Sequence, residues 1–87
     1  MQFLEANIYD GERTLLENVS VYIEEVIGPS GIKSWRGGFD LRDDQDIGHG
    51  TYGVSLEDGR AGEILVTKVS AGPSRTRVWF QVIGVLS

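Results

Sequence analysis

The densest set of reactive side chains in this sequence lies between residues 40 and 50. Asp40, Asp43, Asp44 and Asp46 put four carboxylates into seven positions, and His49, the single histidine of the chain, follows three residues later. Carboxylates this close together suit a hard cation such as Ca²⁺, which takes six to eight oxygen ligands. Asp43, Asp44, Asp46 and His49 are therefore the candidate metal ligands. The EF-hand register fails, because Asp44-x-Asp46-x-Gly48 runs into His49 and no glutamate closes the far end. Without a cation, the like charges repel and the segment is expected to be an exposed, solvated loop. His49 beside an aspartate has the elements of general acid–base catalysis. A nucleophile elbow of the form G-x-S-x-G is absent, so no catalytic residue is assigned. Gly48-His49-Gly50-Thr51-Tyr52-Gly53 matches G-x-G-x-x-G letter for letter. Pyrophosphate binding needs a strand before that motif and a helix N-terminus after it. Here an acidic loop precedes it and a strand pattern follows, so no cofactor is expected.

The elements that position these residues follow from composition. Eighty-seven residues allow one core and one domain, residues 1–87. Nine Val and seven Ile stand against three Ala and one Met, and Gly reaches 12 while Pro is 2. β-Branched residues fit a pleated sheet and lose side-chain freedom in a helix. The chain thus reads as strands and tight turns. It holds no cysteine, which removes disulfides, zinc ribbons and thiol nucleophiles. Small secreted domains usually need such staples, so the expected location is cytoplasmic. Met1-Gln2-Phe3-Leu4-Glu5 has neither a basic region nor a long apolar run, and reads as neither a signal peptide nor a membrane span.

Six strands emerge from period-two alternation broken by turn residues. Leu4, Ala6 and Ile8 mark the first, closed by Asp10-Gly11. The second runs from about Arg13 to Ile27, with Val19, Val21 and Ile23 inward. Leu15-Leu16 and Glu24-Glu25-Val26 break its alternation and predict a bend or bulge. The third covers about Ile32 to Leu41, and Gly37-Gly38 suggests a bulge or sharp bend within it. Tyr52, Val54 and Leu56 begin the fourth, and Ile64 and Val66 mark the fifth. The sixth runs from Val78 to Leu86. Six short antiparallel strands cannot form a sandwich of normal width, but they can close into a barrel. The expected fold is all-β: a small antiparallel barrel of five or six strands with no substantial helix. Its interior set is Leu4, Ala6, Ile8, Val19, Val21, Ile23, Trp35, Phe39, Tyr52, Val54, Leu56, Ile64, Val66, Val78, Phe80, Val82 and Leu86.

Strand phase also predicts a surface. If Val78, Phe80 and Val82 point inward, Trp79, Ile83 and Val85 point outward, and Leu65 and Val69 of the fifth strand are out of phase with the core as well. An apolar outer face marks a contact surface, so Trp79, Ile83, Val85 and Leu65 form the candidate interface for a protein partner or a second copy. Net charge is −5, and residues 1–47 hold ten of the thirteen acids. That balance disfavours a phosphate backbone or an anionic membrane at long range. Arg60, Lys68, Arg75 and Arg77 are spread over two hairpins and form no run, although Trp79 beside Arg75 and Arg77 fits base stacking on a small barrel.

Tyr52-x-Val54-x-Leu56-x-Asp58-Gly59-Arg60-x-Gly62-x-Ile64-x-Val66, with Trp35-x-Gly37-x-Phe39 upstream and Val78-x-Phe80-x-Val82-x-Gly84-x-Leu86 at the end, resembles small bacterial β-barrel domains of uncharacterised function. The resemblance implies a barrel fold and a bacterial setting, and carries no catalytic residue. The function expected is a non-enzymatic protein-interaction or self-associating module. The alternatives are a single-stranded nucleic-acid-binding barrel and a metal-dependent activity at the 40–50 loop.

Overall fold

The computed structural model describes residues 1–42 and 44–87. Its strands are β1 (Gln2–Asp10), β2 (Arg13–Ile27), β3 (Lys33–Leu41), β4 (Gly50–Leu56), β5 (Ala61–Ala71) and β6 (Thr76–Ile83). All pairs are antiparallel, and the ring closes in the order β1-β2-β3-β6-β5-β4. The expected small all-β barrel is therefore present, with no helix among the described residues. Two meanders, β1-β2-β3 and β4-β5-β6, meet along two seams. One seam pairs β3 with β6, and the other pairs β1 with β4.

Every residue of the expected interior set is buried or packs against the core. Phe39 and Phe80 fill the centre with rings 6.0 Å apart. Leu4, Trp35, Tyr52, Val82 and Leu86 are half-buried rather than sealed. Leu16, Leu41 and Ile47 join the core in addition.

Three register shifts explain where alternation fails. On β2, Glu17 and Asn18 together face Asn7, since Ala6 pairs with Val19 and Ile8 with Leu16. Asn18 takes a left-handed φ of 52°, and its amide donates to Asn7 Oδ1 at 3.0 Å. A second register shift follows at once, between the Ile8–Leu16 and Tyr9–Thr14 pairs. Leu15 and Leu16 thus both reach the core despite being adjacent. On β5, Thr67 is the extra residue between the Val66–Phe80 and Lys68–Trp79 pairs. The bulge reverses the phase, so Val69 faces buried Val78 and packs on the core, contrary to the outward position expected for it.

Gly37-Gly38 is not a bulge. The register runs through both residues on the β2 side and on the β6 side. The glycines serve close approach instead. A β-carbon on Gly37 would lie 2.0 Å from the Tyr22 carbonyl oxygen and 2.9 Å from Phe80 Cζ, and one on Gly38 would lie 2.6 Å from the Val78 carbonyl oxygen. The last strand is also shorter than expected. Gly84, at φ 72°, ends it after Ile83, and the chain turns so that Ser87 and Ala61 exchange backbone hydrogen bonds.

Antiparallel alternation sorts the connections to two ends. The β1–β2 turn, residues 44–49 and the β5–β6 turn lie at one end. The β2–β3 turn, the β4–β5 turn, Met1 and the 84–87 segment lie at the other. We expect Gly37→Ala to be the most damaging alanine substitution at any glycine of this chain. The loss should be about 2–4 kcal/mol, because the clash is with main chain as well as a ring, and urea unfolding measures it.

Candidate functional site

The acidic segment is divided by the topology. β3 and β4 stand on opposite sides of the ring, so the described connecting residues, Arg42 and residues 44–49, span the barrel mouth. Asp40 is not part of that crossing. It lies on β3, where Arg77 Nε donates to it at 2.7 Å and Arg75 Nη1 at 3.5 Å. Asp44, Asp46 and His49 are exposed, as expected. Asp43 lies outside the described residues. Among the described residues no three acidic or histidine side chains come together around a common point.

The crossing is anchored by a residue from the stretch expected to be a solvated loop. Ile47 is 5% exposed and belongs to the core cluster. Around it, the Tyr52 hydroxyl donates to the Gly48 carbonyl at 2.9 Å, the Gln45 amide donates to the Arg42 carbonyl at 3.0 Å, and the Arg42 amide donates to Gln45 Oε1 at 3.0 Å. A single apolar residue amid Asp and Gly was the available signal.

The opposite end has another character. Of the seven exposed large hydrophobics, Met1, Ile27, Ile32, Ile83 and Val85 lie at strand ends or in connections at this end, while Phe3 and Leu65 lie on the outer wall, within β1 and β5. The β2–β3 hairpin also projects past the wall here. Pairs from Glu25–Trp35 to Ile27–Lys33 continue past Gln2–Ile23, the last β1–β2 pair, and past Arg36–Gln81, the last β3–β6 pair. Ile27 and Ile32 sit at the hairpin tip.

The four residues expected at the interface are thereby placed. Leu65 lies opposite Gln81 and diagonal to both Trp79 and Ile83, so these three share the outer face. Val85 lies past Gly84, off the strand, and is 74% exposed. Trp79 is half-buried, with Lys68 Nζ 4.9 Å and Arg77 Cζ 6.0 Å from its ring centroid. Its ring is shared with two cations and is not a bare apolar surface.

In the β4–β5 turn, Asp58 ties these edges together. Its carboxylate accepts the Arg60 amide at 3.1 Å and Arg60 Nε at 2.8 Å, while Arg60 Nη2 donates to Gln2 Oε1 at 2.8 Å. The Arg60 amide hydrogen bond holds the Asp58 carboxyl below its usual value, partial burial opposes this, and the guanidinium adds to the lowering. Comparison with protein families, with curated proteins and with solved structures finds no match for this chain.

Two outcomes are expected. Ile47→Ala should cost about 2–5 kcal/mol in urea unfolding, the range for emptying a buried isoleucine site. Asp58→Asn should lower the melting temperature near neutral pH. Because the folded value is depressed, that difference should persist above the unfolded aspartate value and vanish as pH falls through the folded one. Melts of both proteins from pH 7 to pH 2 measure it.

Proposed function

We propose that this barrel is a non-enzymatic protein-interaction module that self-associates through the end bearing Met1, Ile27, Ile32 and Val85. The observation that carries the reading is the gathering of five exposed large hydrophobics at one end of a closed barrel. Monomers rarely leave so much exposed at one place. A closed ring offers no side edge for strand pairing, which directs contact to the ends and to the projecting hairpin. The bacterial and cytoplasmic setting belongs to this same reading. It rests on the resemblance drawn from the alternation pattern and on the absence of cysteine.

Light scattering at 10–200 µM should give a molar mass near twice the 9.6 kDa of the chain. Ile27→Lys with Ile32→Lys should bring it to the monomer without lowering the melting temperature, since both residues are exposed at the hairpin tip. A parent that stays monomeric throughout this range defeats the reading.

A further inference from the structure

The register assembles a row of aromatic residues that the sequence scatters over 77 positions. Phe3 pairs with Tyr22, Tyr22 with Gly38, Gly38 with Trp79, and Trp79 with Lys68. All lie on the outer face, since the neighbours of Tyr22 and Trp79 along their strands, Val21, Ile23, Val78 and Phe80, are buried. Phe3 is 73% exposed, while Tyr22 and Trp79 are half-buried. Tyr22 leans across Gly38. A β-carbon there would lie 2.9 Å from its Cε1 and 3.2 Å from its hydroxyl oxygen. A groove of about 490 Å³ lies between Tyr22 and Trp79, and one of about 470 Å³ lies between Tyr22 and Phe3. The two share Tyr22 and Glu24, so they form one path across the sheet.

Charge on this face runs against the charge of the chain. Arg36, Lys68 and Arg77 line the grooves, and Arg75 joins Arg77 on Asp40. Half of the eight basic residues are thus gathered here, against Glu24 and Asp40 as the acids that line the path or bond to it, in a chain of net charge −5. Glu24 pairs with Arg36, and Asp40 serves both Arg75 and Arg77. Lys68 has no carboxylate within ion-pair distance among the described residues and rests on Trp79 instead.

From this geometry we infer that the Phe3–Tyr22–Trp79 row is a binding path for single-stranded nucleic acid. The ligand chemistry follows from the pairing of features. Flat rings recur across the strands with cations beside them, which suits a polymer alternating planar bases with phosphates. A base stacked on Trp79 takes the place of the Lys68 ammonium, which then reaches a phosphate. The row from Phe3 to Lys68 crosses four strand spacings, about 19 Å, which fits the short end of the ~4–16 nucleotide sites of small barrels. A protein partner is the poorer fit, because interface centres are depleted of charge and here a lysine covers the central tryptophan.

The test uses the full chain and a fluorescein-labelled dT12, followed by anisotropy at 20 and 200 mM salt. Binding should be seen at 20 mM salt. With about three phosphates neutralised, the tenfold rise in salt should weaken it roughly 100-fold. Trp79→Ala and Phe3→Ser should each weaken binding about tenfold. Phe3 is highly exposed, so its variant keeps the test valid should Trp79→Ala unfold. Ile27→Ser with Ile32→Ser, which adds no charge, should bind like the parent, which separates this path from the association end. No binding of dT12 at 20 mM salt overturns the inference. So does equal affinity for a duplex, or a Phe3→Ser variant that binds like the parent. A drop in molar mass on Phe3→Ser without nucleic acid assigns the row to protein contact and overturns it as well.

Discussion

Two absent side chains hold this barrel together. At Gly37 and Gly38 the β2, β3 and β6 strands approach too closely for any β-carbon. Inside the wall, the Phe80 ring takes the volume that a side chain at 37 would need, and it meets Phe39 across the centre. Outside, the Tyr22 ring takes the volume above Gly38. Core and outer face are therefore set by the same few atoms. A methyl group at either position would push on main chain, on a core ring or on the surface tyrosine, and the β3–β6 seam would have to open to admit it.

Closure then fixes the character of the two ends. Because β3 and β4 face each other across the ring, the chain must travel over one mouth, and Ile47 turns that path into a plug. The aspartates around it are left to solvent by the same geometry. The other mouth has no crossing. Its closing residues, Leu4, Trp35, Val82 and Leu86, remain half-buried, and the apolar segments beside them are exposed. One end of the molecule is polar and plugged, and the other is apolar and open.

Much of this was legible in the sequence because period-two alternation and turn residues report local geometry directly. Those signals alone mark a second strand from about Arg13 to Ile27, the span that β2 occupies, and an interior set that is buried or packs against the core. What escaped depends on partners distant in sequence. The bulge at Thr67 is decided by how β5 meets β6, and nothing in Leu65-Val66-Thr67-Lys68-Val69 announces it. Gly37-Gly38 looked like a local defect, and its cause lies with Tyr22, Val78 and Phe80. Ile47 was hidden by acidic neighbours, since a crossing loop is a property of strand order and not of composition. The same holds for the basic face. Arg36, Lys68, Arg75 and Arg77 form no run along the chain and are gathered only by the β3-β6-β5 order.

The two-meander architecture bears on how the chain reaches this state in time. Within β1-β2-β3 and within β4-β5-β6 each ladder joins sequence neighbours, and short turns close them on the microsecond scale of isolated hairpins. Neither meander alone can enclose an interior. The seams do that, and they join residues far apart: Ala6 to Leu56 and Leu41 to Thr76. Chain entropy must be surrendered before either seam returns any burial, which places the barrier at their formation and the barrel among the millisecond-to-second folders. Until the seams form, the outer strands of each meander present unpaired edges. The interval before closure is thus when this chain is most open to pairing with the wrong strand.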